Sequence, residues 1–318
     1  MSGFAGLAES FFQALAAGLL VGSIYGLMCL GLGLIFGVMR VINFAQGDFL
    51  MLGMYATLYL TGVLGGAAWL GPTSGPFVAA ICSGPLLFVG GYLLHRLLVS
   101  RVTGTRVAGI EGEGHYAQLI LTLGVALILE NGGLILFGST PQSVRTPLSS
   151  SAWEIPLAHD AAIFVNKARS IAALTSIAAA AALYWFIGSS RLGKALRAAA
   201  DNPEAATYMG IDVDRAHRLA FGIGTGVTAI AGGLVATYSS FQPYVGLEFV
   251  IIMYAGVVLG GMGSMLGAFW GGMTIGLVQQ LSSLVLSAQL QNSAIFVVFL
   301  LIVLMRPQGL FGRRTERT

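Results

Sequence analysis

Residues 191–215 read RLGKALRAAADNPEAATYMGIDVDR, the one long polar interruption in the second half of an otherwise apolar chain. Arg191, Lys194, Arg197 and Arg215 stand beside Asp201, Glu204, Asp212 and Asp214. The stretch carries its own helix punctuation. Asn202 followed by Pro203 predicts an N-cap with proline at the first helical position, where its missing N–H costs nothing. Glu204 adds negative charge at the positive end of the helix dipole. Gly210, after Tyr208 and Met209, fits a left-handed residue that closes the helix. Asp212 is placed to cap the next helix, which runs straight into apolar sequence. Order of this kind between two apolar spans implies that something docks on it.

The rest of the chain is oil. Its 318 residues are 56% apolar and 9% charged, with 45 glycines, and the mean hydropathy is +0.83. A soluble domain carries about 25% charged residues, so an all-α polytopic membrane protein is predicted. Runs of spanning length, about 20 residues, fall at 11–39, 48–64, 77–98, 116–138, 163–188, 219–241, 249–288 and 293–305. As a helix the 249–288 run would be about 60 Å long, too long for one crossing. A break near Gly260-Gly261-Met262-Gly263-Ser264 divides it. The count comes nearest to about nine transmembrane helices, eight or ten if a segment is re-entrant. The whole of 1–318 reads as one membrane domain, with 191–215 a loop inside it.

Lys and Arg in the short loops set the orientation. Arg40, the loop with Arg96, Arg101 and Arg106, the 191–218 segment and the tail with Arg306, Arg313, Arg314 and Arg317 all fall on one side. That side is read as cytoplasmic and the N-terminus as periplasmic. The loop 139–169 lands outside despite Arg145, Lys167 and Arg169, the one discordant point. No basic residue precedes the first apolar run, so no cleaved signal peptide is expected.

Several function classes drop out. The net charge of +3 comes from loops between apolar runs and is no nucleic-acid signal. Cys29 and Cys82 lie in apolar runs without partner spacing and read as small core residues. The four histidines are far apart, so no metal site and no cofactor are expected. No GxxxxGK[ST] loop is present, so the chain does not itself hydrolyse ATP, and neither HExxH nor GxSxG occurs. It is not an enzyme by these signs.

Polar groups at membrane depth say more. Residues 41–49 read VINFAQGDF and join two apolar runs. Asn43, Gln46 and Asp48 cannot face lipid cheaply. The plainer reading is a tight cytoplasmic turn in which Asp48 caps the next helix. The functional reading is a helix break beside a solute path, with Gly47 supplying an unusual backbone angle. Glu130, within an apolar run, should face the bundle interior, protonated or paired with Asn131 or another helix, either as a structural polar contact or as a residue lining the substrate path. Glu248 reads as a helix cap at the outer surface. Residues 257–272, VVLGGMGSMLGAFWGG, hold six glycines in sixteen residues and predict a non-helical or sharply bent segment. Gly260, Gly261, Gly263 and Ser264 are its candidates for a gate or path lining, against a simple inter-span turn. Glycines four apart (18/22/26, 222/226, 263/267/271) read mainly as helix-packing positions. No charged binding cluster is evident at membrane depth.

These stretches together resemble one family. VINFAQGDFLMLGMY is similar to the NFAHGE-type signature of the branched-chain amino acid ABC importer permeases. LGKALRAAADNPEAATYMGIDVDR resembles their cytoplasmic loop, and VVLGGMGSMLGAFWGG with RPQGLFGR resembles their C-terminal half, in the family's order and over nearly the whole chain. The LivH-type subunit is the nearest in kind. Asn43, Phe44, Ala45 and Gly47 match the first motif, with Gln46 where histidine is common and Asp48 where glutamate is common. Both keep a polar group, but Gln46 does not titrate. Gly193, Arg197, Glu204, Ala205, Gly210, Ile211 and Arg215 match the loop.

The resemblance implies a bacterial inner-membrane permease working with a second permease (a paralogue rather than a copy of itself), two cytoplasmic ATPase subunits and a periplasmic binding protein. The cargo would be leucine, isoleucine or valine, selected mostly by the binding protein. The 191–215 loop would be the ATPase coupling segment, with Arg197, Asn202, Pro203, Glu204, Ala205, Tyr208 and Gly210 as its contact residues. Related importers carry urea and short amides. An ion-coupled carrier, with Asp48 and Glu130 on the ion, is a further alternative that leaves the ordered loop without a role.

Overall fold

The computed structural model describes residues 2–65, 71–103, 113–156, 162–287, 290–306 and 308–311. The chain begins with α1 (Ser2–Met39), α2 (Gln46–Gly65) and α3 (Gly71–Leu94), which continues through a π-helical turn (His95–Val99) into the short α4 (Ser100–Thr103). Then come α5 (Glu113–Phe137), an antiparallel hairpin of β1 (Ala152–Pro156) and β2 (Ala162–Asn166), and α6 (Lys167–Ser189). The polar stretch forms α7 (Arg191–Asp201) and α8 (Pro203–Tyr208), followed by α9 (Val213–Ala236), α10 (Val245–Gly260), α11 (Met265–Ser282) and α12 (Gln291–Met305).

Among the described residues, five helical stretches are long and apolar enough to cross a membrane, within α1, α3 with its continuation, α5, α6 and α9; α10 and α12 are shorter apolar helices. The architecture is a helical membrane bundle. Its centre is α1 and α9, whose apolar windows are 83% and 78% buried, whereas α5, at 17%, lies on the outside.

Glycine makes that centre possible. Lipid tails are as apolar as leucine, so helices in a bilayer associate by close van der Waals packing rather than by hydrophobic expulsion. A Cβ on Gly22 would lie 2.6 Å from the Met273 carbonyl oxygen, and one on Gly26 would lie 2.8 Å from Phe269. In return, a Cβ on Gly276 would collide with the Gly22 backbone, and one on Gly271 with the Gly256 carbonyl. Gly226 meets Gly84 in the same manner, seating α9 on α3. The four-residue glycine spacing is therefore a packing device along α1–α11, α10–α11 and α3–α9.

In the arrangement of its elements and cysteines, the structure departs from the sequence reading in four places. The break in the 249–288 run falls where expected, but only Gly261–Ser264 leave the helix, because the surrounding glycines pack helix to helix instead of bending it. The 139–169 loop contains the β-hairpin, an addition to an all-α class, pinned to α1 by two bonds between Gln13 and the Phe164 backbone. Residues 191–201 are helical, which the capping analysis of 202–210 did not reach. Finally, Cys29 is buried as expected, whereas Cys82 is exposed on α3.

Gly276→Val should shift the detergent-solubilised protein's thermal unfolding sharply downward, by about 1–3 kcal/mol or more of overpacking. Gly90→Ala, where an added Cβ meets nothing within 4 Å, should leave the midpoint unchanged. Equal midpoints for the two variants would refute the glycine-seam account.

Candidate functional site

The polar motif between α1 and α2 is buried. Arg40 ends α1 with φ 54°, and the chain turns there rather than at Gly47, which is helical and has no positive φ. Asn43, Gln46 and Asp48 are 1%, 0% and 5% exposed. Asn43 Oδ1 accepts from the Ala45 N–H at 3.2 Å, and its Nδ2 donates to Gln46 Oε1 at 2.9 Å. Gln46 Nε2 donates to the Gly224 carbonyl at 3.2 Å and to Thr228 Oγ1 at 2.5 Å. Those partners sit at the middle of α9 (Val213–Ala236). The tight turn is present but buried: the motif packs into the bundle against α9, and α2 starts from its interior. Each polar atom of the Gln46 amide is satisfied by protein, as backbone and side chains at that depth require.

Gly47 earns its place by contact. An added Cβ there would strike the Gly246 carbonyl, and one on Gly246 would lie 2.8 Å from Asp48 Oδ1. The first turns of α2 and α10 therefore touch, with the Asp48 carboxylate between them and favourably placed against two positive helix ends. Phe44 packs on Tyr254 of α10 with ring centroids 5.8 Å apart. Glu130 on α5 is half-buried and lies within electrostatic range of Asp48. Asn131 does not pair with it; its amide donates to the Leu127 carbonyl one turn back. The structure thus brings Asn43, Gln46, Gly47, Asp48 and Glu130 together.

Gly260, Gly261, Gly263 and Ser264 lie elsewhere. Gly263 faces Gly37, two residues before α1 ends. Gly261 and Gly263 take φ of 103° and 92°, and Ser264 caps α11 by accepting from the Gly267 N–H at 3.1 Å. The tail closes over this turn: Leu310 N–H donates to the Leu259 carbonyl at 2.8 Å and Phe311 N–H to Gly260 at 3.1 Å. These bonds satisfy the last carbonyls of α10, which any helix end leaves open. The geometry is that of an ordered inter-helix turn.

The 191–215 segment follows its punctuation. Asn202 Oδ1 accepts from Ala205 N–H at 3.0 Å, with Pro203 opening α8 and Glu204 in its first turn. Gly210 has φ 80°, and Ile211 N–H reaches back to the Ala206 carbonyl. Asp212 caps α9 through Arg215 N–H at 2.8 Å. The newly found α7 has its own cap, Ser190 to Gly193 N–H at 2.9 Å. Its buried Gly193, Leu196 and Ala199 form one stripe, a three-residue spacing legible in retrospect. Arg197 donates to the Gly188 carbonyl at 3.1 Å, capping α6, and Arg40 reaches the Ala200 carbonyl at 3.4 Å. Only Ala206 of residues 201–210 is buried, and Tyr208 and Met209 stand 86% and 83% exposed. Two large apolar side chains project from an ordered, charged platform.

Sequence reasoning missed a second polar constellation. Glu248 was expected to cap a helix, yet α10 has no side-chain cap, and Glu248 Oε1 instead accepts from Asn292 Nδ2 at 3.4 Å. Asn292 Oδ1 accepts from Gln279 Nε2 at 3.3 Å, and Gln279 Oε1 from the Tyr25 hydroxyl at 2.9 Å. Four helices contribute one residue each, so no local spacing could announce it.

A membrane bundle with a buried polar break and an ordered platform at one end is the anatomy of a transport protein's membrane component. The chain belongs to the family described as "Branched-chain amino acid transport system / permease component", matched over residues 14–305. It is 30% identical over 308 residues to the high-affinity branched-chain amino acid transport system permease protein LivH of Escherichia coli K12, covering 95% of this chain and 96% of that one. The permease protein BraD of Pseudomonas aeruginosa is 27% identical over 307 residues, with 95% and 96% covered. A probable branched-chain amino acid transport permease protein LivH of Methanocaldococcus jannaschii is 26% identical over 297 residues, covering 90% and 88%. No solved structure matches the chain.

A double-mutant cycle of Gln46→Ala and Thr228→Ala, read by unfolding in bilayer-like detergent, should give a coupling between about 0.6 kcal/mol, the average for interhelical hydrogen bonds in membranes, and their maximum of about 1.7 kcal/mol. Additive effects would mean that the two side chains do not meet.

Proposed function

We propose that this chain is a permease subunit of an ABC importer that moves branched-chain, aliphatic amino acids into the cytoplasm by ATP-driven alternating access. Family membership supports the permease role, and ATP hydrolysis belongs to separate subunits. The complex contains two cytoplasmic ATPases, a periplasmic binding protein and a second permease that is a paralogue of this chain, in a bacterial inner membrane. The relatives described above are named for branched-chain amino acid transport, which favours that cargo over urea or short amides. An ion-coupled carrier has the Asp48–Glu130 pair in its favour, but it leaves the 191–215 platform without a purpose.

The chain crosses the membrane nine times, through α1, α2, α3, α5, α6, α9, α10, α11 and α12, with the N-terminus periplasmic and the C-terminus cytoplasmic. The bundle's two ends support this. Arg40 bonds Ala200, and Gly309 in the tail packs on Gly261, so the basic segments gather at one end. The β-hairpin lies at the other, against Gln13 of α1. Arg169, which upset the charge count, lies 5.2 Å from the Tyr238 ring centroid, and that cation–π contact accounts for a cation on the outer side.

The observation that carries the coupling reading is the α7–α8 platform with its exposed Tyr208–Met209 tip. Arg197, Asn202, Pro203, Glu204, Ala205, Tyr208 and Gly210 form or order the surface that docks on an ATPase. Arg197 and Arg40 tie the platform to α6 and α1, so a displacement of α8 reaches the central helix. Asn43, Gln46, Gly47, Asp48 and Glu130 border the substrate path. On this reading the α2–α10 contact at Gly47 and Gly246 closes the path, and transport requires α2 and α10 to part.

Combining Glu204→Lys with Gly210→Val should leave the protein in the membrane but lower ATP-dependent leucine uptake at least tenfold in the reconstituted complex. The first reverses the charge at the α8 N-terminus, and the second puts a β-branched residue at φ 80°. Uptake at the wild-type rate would overturn the coupling assignment.

A further inference from the structure

Glu248 is an exposed carboxylate in the first turn of α10. Its neighbour Phe249 packs on Tyr25 at 6.1 Å between ring centroids, and Tyr25 is sixteen residues from Glu9 and fourteen from Met39, the ends of the apolar span of α1. That span is 31 residues long, longer than a bilayer core of about 30 Å requires. Its outer part runs beside the β-hairpin at Gln13. The carboxylate, in that first turn of α10, therefore stands toward the outer end of the bundle. A charge at the edge of the apolar region faces protein, water or a partner rather than lipid. Here it faces cavities on two sides. One, of about 240 Å³, is bordered by Ser240, Gln242 and Tyr244 with Glu248. The other, of about 60 Å³, lies between Ile251, Ile252, Ile295 and Phe296, with Glu248 and Asn292 at its mouth.

The hydrogen bonds behind Glu248 run in one direction. Tyr25 donates to Gln279, Gln279 to Asn292 and Asn292 to Glu248 Oε1. Such a chain delivers a donor to Oε1 of the carboxylate, while Oε2 remains for the cavity. Opposing the α10 dipole would need only a carboxylate somewhere in the first turn. It would not need a donor relay through three other helices or an apolar pocket alongside. A single water occupies about 10–15 Å³ of such a cavity, so the smaller one has room for a short branched alkyl group.

We infer that Glu248 is a way-station for the cargo: its carboxylate takes the ammonium group of an aliphatic amino acid, whose branched side chain enters the Ile251–Ile252–Ile295–Phe296 pocket. The polar head, with its carboxylate, rests in the larger cavity among Ser240, Gln242 and Tyr244. This rests on the permease reading and adds a substrate subsite to it.

The test uses the full complex in proteoliposomes, with leucine and valine uptake and ATPase activity measured together. Glu248→Gln should cut leucine uptake at least tenfold while the ATPase still responds to the loaded binding protein. Glu248→Asp, which keeps the charge, should retain a third or more of the uptake. Ile251→Trp, at an exposed position, should narrow the apolar pocket and depress leucine uptake at least threefold more than valine uptake. Wild-type uptake by Glu248→Gln, equal losses from the Gln and Asp variants, or equal losses of leucine and valine in Ile251→Trp would each overturn the inference. If Glu248→Gln fails to reach the membrane, the Ile251→Trp ratio decides alone. Failure of the wild-type complex to take up leucine would instead overturn the assignment of a branched-chain amino acid as the cargo.

Discussion

The Gln46 side chain, fully buried against the middle of α9, is the interaction on which the interior depends. A chain that leaves the helical state inside a bilayer exposes polar groups that water cannot reach. Gln46 meets that requirement with one amide, whose oxygen accepts from Asn43 and whose nitrogen serves both Gly224 and Thr228. An amide suits the position because it donates and accepts at once without carrying charge. With the return segment held in this way, α2 begins inside the bundle and its first turn meets that of α10 over Gly47 and Gly246.

That contact demands room, and glycine provides it throughout. The same close approach recurs between α1 and α11, α10 and α11, and α3 and α9. Packing of this kind transmits displacement, since two backbones in contact have no soft side chains between them to absorb it. The platform of α7 and α8 is joined to the same bundle by Arg40 and Arg197. A partner acting on Tyr208 and Met209 therefore acts on α1, and through α1 on the α2–α10 junction. Glu248 lies on the first turn of α10, so the proposed cargo station belongs to one of the two helices that have to part.

Much of this was legible in the chain itself, and the division follows the range of the interactions. Asn202, Pro203, Gly210 and Asp212 were readable because caps are local: donor and acceptor lie within four residues. The apolar spans and the break at Gly261–Ser264 were readable for the same reason. The depth of Asn43–Asp48 was not, because it depends on Gly224 and Thr228, some 180 residues away in the chain. Glu248 looked like a cap because its partner, Asn292, lies 44 residues on. The β-hairpin escaped notice within a loop that is half polar, where its pairing with α1 is again long-range. Gly47 was singled out for an unusual backbone angle, whereas it is helical and what its position requires is room for contact with Gly246.

The most direct test of this arrangement is a disulfide cross-link. In a background lacking Cys29 and Cys82, Asp48→Cys is combined with Gly246→Cys and oxidised in native membranes. The α2–α10 junction at depth predicts rapid cross-linking, together with protection of the Asp48→Cys thiol from a membrane-impermeant reagent on the cytoplasmic side. No cross-link, with that thiol freely labelled from the cytoplasm, would place residues 43–48 in a surface turn and contradict the account.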